Sequence, residues 1–262
     1  MDGQIIILDA GTGIRLLGNQ LVAEFEGQPL DLTLLLTHTH WDHIQGLPFF
    51  QPVYQPNSRL RILGCTAARQ SLKVVLAGLM KSPFFPIGLR DVPANVRIEE
   101  LKHLQFNVGP VRVQACRANH PGKCVGYRLI TSRGSIAFFP DNELRREDAD
   151  ARPGIAEFVR GAEVLIMDTQ FDRQEYRQHM GWGHGCLDEV VAFALEAQVK
   201  QLFLFHHDPD HDDSKVAQME AHARRLVAAR KRRLQVRAAR EGLTVQLGGR
   251  MPEVGLGGGA IA

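Results

Sequence analysis

Cysteine is scarce in this 262-residue chain, and its four copies, Cys65, Cys116, Cys124 and Cys186, form no C-x-x-C pair. That spacing excludes a zinc knuckle and a disulfide framework, so the four read as buried thiols. Long apolar runs are missing too. Stretches such as Ile5 to Leu8 and Val74 to Met80 fall well short of the roughly 18 residues that a membrane helix requires, and no membrane association is expected. Charge of one sign is not in excess either, since 31 Lys and Arg against 29 Asp and Glu leave a formal net charge of +2. With 44% hydrophobic and 23% charged residues the balance is globular, which excludes disorder, collagen-like repeats and coiled coil for the bulk of the chain. Met1-Asp2-Gly3 runs directly into a strand-like segment without a basic region or cleavage-like site, so the expected location is cytoplasmic.

What the chain does have is a series of short apolar runs of strand length. They are Gln4 to Leu8, Leu32 to Leu36, Leu60 to Leu63, Val111 to Cys116, Gly126 to Ile130, Ser135 to Phe139, Val164 to Met167 and Gln201 to Phe205. Helical periodicity is clearest from Leu187 to Lys200, and helices are also expected over Ala67 to Met80, Gly154 to Arg160 and Ser214 to about Arg240. Mixed order of this kind predicts an α/β or α+β class, with sheets covered by helices. A single domain over residues 1–250 and a flexible Gly-rich tail over 251–262 are expected. The Pro-rich segment Lys81 to Pro93, with Phe84 and Phe85, breaks regular structure and reads as a lid or substrate-edge loop.

Eleven histidines carry more information, because they cluster with aspartates. His38-Thr39-His40-Trp41-Asp42-His43 follows the apolar run Leu32 to Leu36, which places four ligand-type side chains at the carboxyl end of a strand. One ion cannot use all four comfortably. Imidazole and carboxylate donors suit Zn²⁺ or a similar first-row ion, and hydrolytic sites commonly hold two ions about 3.5–4 Å apart. The plainer reading, a run of surface histidines, fits a lone His-x-His better than this pattern. Further ligand-type residues stand at the ends of other apolar runs: Asp9, His120, Asp141, Asp168 and His206. Taken singly, each reads better as a capping Asp or a solvated His, and it is their recurrence at so many strand ends that argues for a site.

Asp9-Ala10-Gly11-Thr12-Gly13, the H-T-H-W-D-H run, His120, Asp141 and His206, in that order, resemble the five motifs of the metallo-β-lactamase superfamily. The resemblance spans about residues 4 to 213 and implies an αββα sandwich with a binuclear site at its edge. It implies that His38, His40 and His120 hold one metal, that Asp42, His43 and His206 hold the second, and that Asp141 bridges them. Asp9 would orient a ligand from behind. Two divalent ions are implied, zinc first, with Mn²⁺ or Fe²⁺ as alternatives. Leu165 to Phe171, Gly183-His184-Gly185, a helix and Leu202 to His206 are similar to the matching stretch of ribonuclease Z and related phosphodiesterases. There an acidic residue pairs with a histidine, and Asp168 and His184 occupy those places. Gly185 departs from that pattern, where Ser is usual, as do Asp168 and Thr169, where Glu-Ala is commoner. The missing hydroxyl leaves the helix at Leu187 without a Ser cap, a role that Asp188 could partly take.

The activity implied is hydrolysis of a small or cyclic, nucleotide-like phosphodiester by a metal-activated hydroxide, with Asp42, His184 and Asp168 as catalytic residues. Lactonase or thioesterase chemistry on the same fold is the alternative, and a non-catalytic nucleic-acid-binding member is the rival from another class. Arg224, Arg225, Arg230, Lys231, Arg232, Arg233, Arg237 and Arg240 would make the C-terminal helix basic enough to meet phosphates, although a solvated face is the favoured reading. His207, Asp208, Asp210 and His211 read as a polar rim. Asp9 lies close to the start, where the family has further strands, so the first sheet is expected to be short of an edge. The implied consequence is lower stability or a homo-oligomer through that edge.

Overall fold

A computed structural model describes residues 2–65, 70–145 and 151–248. The expected tail over 251–262 lies outside the described residues, as does the start of the helix expected from Ala67. Two sheets face each other. The first holds four parallel strands in the order β1 (Ile5–Leu8), β2 (Asp31–Leu36), β3 (Arg59–Gly64), β4 (Asn95–Glu100). In the second, β5 (Gln105–Val108), β6 (Val111–Arg117), β7 (Val125–Thr131) and β8 (Gly134–Phe139) pair antiparallel, and β9 (Val164–Asp168), β10 (Gln201–Phe205) and β11 (Gln235–Ala238) continue from β8 in parallel. Helices α1 (Ile14–Glu24), α2 (Trp41–Ile44), α3 (Leu72–Leu79), α4 (Ala151–Val159), α5 (Arg173–His179), α6 (Leu187–Glu196) and α7 (Asp213–Ala229) complete the described regular structure, with short 3₁₀ turns at Leu47–Phe49 and Gln51–Tyr54.

Burial explains the layering. Leu32, Leu34 and Leu36 of β2 pack with Ile14, Leu21, Leu72 and Leu76 of α1 and α3 on the outer side of the first sheet. Leu35 points the other way and joins Leu63, Val111, Val113, Tyr127 and Leu129 between the sheets. A strand buried on both faces is rich in apolar residues on both, which is why Leu32 to Leu36 reads as an almost continuous leucine run, broken only by the buried Thr33, and not as a clean alternation. Beyond the second sheet, Phe139, Leu165, Met167, Leu202 and Leu204 pack with Ile155, Leu187, Val190, Val191 and Phe193 of α4 and α6. The result is the α/β, αββα architecture that the resemblance implied, with β1 at one edge of the first sheet.

Several elements differ from the sequence reading. β11 interrupts the expected C-terminal helix: α7 ends at Ala229 and Arg237 lies in a strand, so the basic residues are divided among a helix, a turn and an edge strand. A four-residue edge strand, Gln-Val-Arg-Ala, next to a basic turn carries too little apolar pattern to be told from a helix end. Helix α6 stops at Glu196, four residues before the expected end, because Gln198 takes a positive φ of 57° and turns the chain into β10. Strands β4 and β5 and helices α1 and α5 went unread. β4 shows only half-buried positions alternating with exposed ones, and α5 buries no residue fully. The Lys81 to Pro93 loop is irregular as expected, but Leu89 and Val92 are buried and Phe85 packs edge-on against Phe49 at 5.8 Å between ring centres. Cys124 and Cys186 are buried and Cys65 and Cys116 half-buried, and burial raises the pKa of all four thiols. Among the described residues no helix is long and apolar enough to cross a membrane.

The sheets are stitched together at the end that carries the histidine cluster. Val125 N donates to Thr37 O at 3.1 Å, and the fully buried Tyr127 hydroxyl donates to Leu36 O at 2.7 Å. Removing that hydroxyl while keeping the ring leaves a buried carbonyl short of a partner. Tyr127→Phe is therefore expected to lose about 1–3 kcal/mol of stability in urea titration, with the fold retained.

Candidate metal centre

Most of the candidate side chains stand where a strand ends, while Asp42 and His43 lie in α2 and His184 in the turn before α6. Asp9 follows β1, His38 and His40 follow β2, His120 follows β6, Asp141 follows β8, Asp168 closes β9 and His206 follows β10. β6 and β8 run in the same direction, two antiparallel steps apart, as do β8, β9 and β10, so these ends open on one side of the sandwich. Asp9 and His206 both take positive φ, 58° and 59°, a conformation unusual away from glycine that turns the chain sharply at the strand end. Gly11 has a steric reason: a Cβ there would stand 2.5 Å from the carbonyl oxygen of Asp42, so the loop after β1 can press against α2 only without a side chain. The contact is closed by Ala10 N to His43 O at 2.7 Å and Gly46 N to Ala10 O at 2.8 Å.

Three groups of ligand-type side chains result, each with its donor atoms within 4.8 Å of one another: His38, His40, His120 and Asp141; Asp42, His43 and His206; and Asp141, His184 and His206. Asp141 belongs to more than one because its two oxygens face different ways. Oδ2 lies 3.7 Å from both His38 Nε2 and His120 Nε2, while Oδ1 lies 2.9 Å from His43 Nε2 and 3.5 Å from His206 Nε2. Asp42 Oδ2 faces His43 Nε2 at 3.0 Å and His206 Nε2 at 3.3 Å. These residues fit a metal centre on their own geometry. His38 Nε2 is buried without a hydrogen-bond partner, and it converges with His43 Nε2 and Asp141 Oδ1, which stand 2.9 Å apart as an ion pair without well-formed hydrogen-bond geometry. Buried polar atoms ordinarily find partners, so their convergence marks a place for a cation.

Asp9 acts from behind the cluster. Its carboxylate accepts from Thr37 N at 2.7 Å and Thr37 Oγ1 at 2.8 Å, and it meets His43 Nδ1 at 2.8 Å, which turns His43 Nε2 toward Asp42 and Asp141. Burial raises the Asp9 pKa and is opposed by His43 and Thr37. His38 is pushed down to about 3, by burial first and by the neighbouring His43 second, so it is neutral and ready to donate a lone pair. His43 goes the other way. Burial would lower its pKa, but the carboxylates of Asp141, Asp42 and Asp9 outweigh that and raise it to about 12. His206 rises to about 9 because Asp42 and other carboxylates outweigh its burial. Asp42 and Asp141 stay below the ordinary carboxylate range despite burial, held there by the histidines.

His184 sits beside both groups, its ring stacked on His206 at 4.9 Å and 5.3 Å from that of His120. Its Nδ1 meets Asp168 Oδ2 at 2.9 Å, and Asp168 is fixed by Asn142 N at 3.1 Å and Gln170 N at 2.9 Å. The structure also accounts for Gly185. A Cβ there would stand 2.1 Å from the Asp168 carbonyl oxygen, so a serine does not fit this turn. Helix α6 has Cys186 as its N-cap without a side-chain cap, and Asp188 pairs with His222 instead of replacing one; Leu187 N is satisfied by Phe171 O at 2.9 Å. Of the polar rim, His207 meets Ala239 O, Asp208 accepts from Gln170 and His211 meets Glu175. Glu143 was not singled out from sequence. It is 3% exposed and bonded to the turn before His184, and a lone Glu after the Asp141 motif gives no signal of that without the fold.

Residues 4–207 match the profile of the beta-lactamase superfamily domain. Among proteins of known name, the chain is 26% identical over 248 residues to ribonuclease Z of Archaeoglobus fulgidus, covering 78% of each. Its fold is similar to the metallo-beta-lactamase fold protein YhfI from Bacillus subtilis, with a TM-score of 0.67, 17% identity and coverage of 93% of this chain and 88% of that one. It is also similar in fold to a diphosphatase of the PhnP family, with a TM-score of 0.63, 19% identity and coverage of 94% and 82%.

Two outcomes follow from this geometry. Because His43 and His206 hold protons at neutral pH in the metal-free protein, a metal ion must displace them. Uptake at pH 7 is expected to release about one to two protons, seen as a buffer-dependent heat in calorimetry, and affinity is expected to fall as pH is lowered. Gly185→Ser is expected to destabilise the protein by about 1–3 kcal/mol in thermal or urea melting, because the added Cβ meets the Asp168 carbonyl.

Proposed function

The chain belongs to the beta-lactamase superfamily, a family of metal-dependent hydrolases, and on that footing we propose that it is a two-metal phosphodiesterase acting on a small or cyclic, nucleotide-like diester. The observation that carries this reading is the His184–Asp168 pair, bonded at 2.9 Å beside an Asp141 whose two oxygens serve two ligand groups. The relative named ribonuclease Z, which cleaves RNA by its name, supports the same bond type.

In this reading His38, His40 and His120 hold one divalent ion, Asp42, His43 and His206 the other, and Asp141 lies between them. Nitrogen and oxygen donors of this kind favour zinc. When bound, such ions lower the pKa of water toward neutrality and neutralise phosphoryl oxygens. The protein's own residues do the rest. Asp42, whose side chain is 55% exposed, is placed to orient the attacking water and take its proton. Asp168 accepts from His184 Nδ1, so the imidazole is held with Nε2 free. From there it stabilises developing charge or, when protonated, gives a proton to the leaving oxygen. Asp9 holds His43 in place throughout.

A flat, base-like group on the substrate is supported by the two tryptophans, the only ones in the chain. Trp41 and Trp182 are 74% and 60% exposed, Trp41 directly after His40 and Trp182 two residues before His184. Exposed indoles offer stacking surfaces worth about 1–3 kcal/mol per base.

Hydrolysis of bis(p-nitrophenyl) phosphate, alongside a lactone and a thioester, tests the reading. The expected result is chelator-sensitive turnover of the diester alone, abolished in Asp141→Ala together with metal binding. His184→Ala is expected to lower kcat by about 10²–10⁴ with the metal retained. Turnover of the lactone or thioester only would sink it.

A further inference from the structure

The turn that carries His184 is fastened by a buried carboxylate outside all three ligand groups. Glu143 Oε1 accepts from Arg145 Nε at 2.8 Å, from the Tyr176 hydroxyl at 2.7 Å and from Gly181 N at 2.9 Å, and Oε2 accepts from Gly183 N at 3.1 Å. Four donors on two oxygens, with the side chain almost wholly withdrawn from water, use a carboxylate's accepting capacity in a way a neutral amide cannot copy. Burial alone would raise the pKa of Glu143, and these donors hold it below the usual value.

What Glu143 fixes is next to the candidate metal ligands. Gly183, held through its N–H, uses its carbonyl oxygen to take His120 Nδ1 at 3.0 Å. That contact sets the tautomer of His120 and leaves Nε2 facing Asp141 Oδ2 at 3.7 Å and His40 Nδ1 at 3.3 Å. Gly183 also presses on the same residue from the side, since a Cβ there would lie 2.6 Å from His120 Nδ1 and 2.2 Å from Pro121 Cδ. The other side of His120 is tied to the Glu143 segment by its backbone: Glu143 N donates to Asn119 O at 2.8 Å, Asn119 Nδ2 to Glu143 O at 2.9 Å, and Asn119 N to Asn142 Oδ1 at 2.8 Å. One short stretch, 141–143, thus supplies Asp141, clamps the residue before His120 and holds the turn that orients both His120 and His184.

We propose that Glu143 is a positioning residue for the metal centre, locking the 181–183 turn so that His120 presents Nε2 to the first metal and His184 stands beside it. The inference rests on the two-group metal reading above but not on the identity of the substrate. A ligand held by an outer partner of this kind typically loses about ten- to a hundredfold in metal affinity when that partner is removed. Glu143→Gln leaves one acceptor oxygen for four donors, so a glycine N–H must face an amide and the turn is released.

The test is a Co²⁺ titration of the metal-free full-length protein, read by visible absorption, which needs no turnover. Glu143→Gln is expected to bind the first equivalent about ten- to a hundredfold more weakly than wild type, with a shifted ligand-field band that reports altered histidine geometry. Should that variant fail to fold, Tyr176→Phe removes one donor from the α5 side and touches no ligand; a weakening of about two- to fivefold with the same direction of band shift is then expected. Wild-type Co²⁺ affinity and an unaltered band in whichever folded variant is read would overturn the proposal. Loss of phosphodiester turnover with unchanged Co²⁺ binding would likewise count against it. Wild-type protein that binds Co²⁺ tightly but cleaves no diester, with Glu143→Gln weakened, would retire the phosphodiesterase reading and leave this one standing.

Discussion

Everything at the open edge of this sandwich depends on burying carboxylates and imidazoles together without leaving either uncompensated. Asp141 is 1% exposed and Asp168 fully buried, and an ionised carboxylate so placed is costly unless donors or cations surround it. Asp141 meets that demand with four histidines and Asp168 with two backbone N–H groups and His184. In the metal-free protein the compensation is protons, held mainly on His43 and His206. The same positions suit cations of higher charge, which is why the arrangement reads as a metal centre and not as a structural ion-pair network.

A second consequence concerns rigidity. The candidate ligands come from strand ends in both sheets and from the short helix α2, and their relative positions are fixed by interactions outside the cluster. Tyr127 and Val125 bind the second sheet to the end of β2 just before His38. Gly11 and Gly46 allow the loop after β1 to lie against α2, which keeps Asp9 within reach of His43. Asp168, Asn142 and Glu143 connect the ends of β8 and β9 to the turn bearing His184. Preorganisation of this kind is what lets a site stabilise charge developing in a transition state without first rearranging.

Much of the fold was legible because most strands of the two sheet centres are fully buried, so their apolar runs stand out: β2, β9 and β10 were read within a residue of their bounds. Elements with one face in water, such as β4 and β11, or with no buried residue, such as α5, carry weak or mixed patterns and were missed or misread. At the centre, the H-T-H-W-D-H run and the Asp9 motif were legible because donor spacing along a strand end is local. Glu143 was not, since its four donors come from residues 145, 176, 181 and 183 and meet only when the chain is folded.

By itself the sequence determined the family, the αββα class and which side chains have the chemistry to hold a metal, because motif order and apolar periodicity are properties of the chain. Only the tertiary structure decided how those side chains are grouped. It turned the two oxygens of Asp141 toward different histidine sets, set His184 on Asp168, and excluded a side chain at Gly185 by bringing it against the Asp168 carbonyl. These are contacts between residues from 16 to 103 positions apart. Their distances are fixed by sheet register and loop packing, quantities that no local pattern encodes.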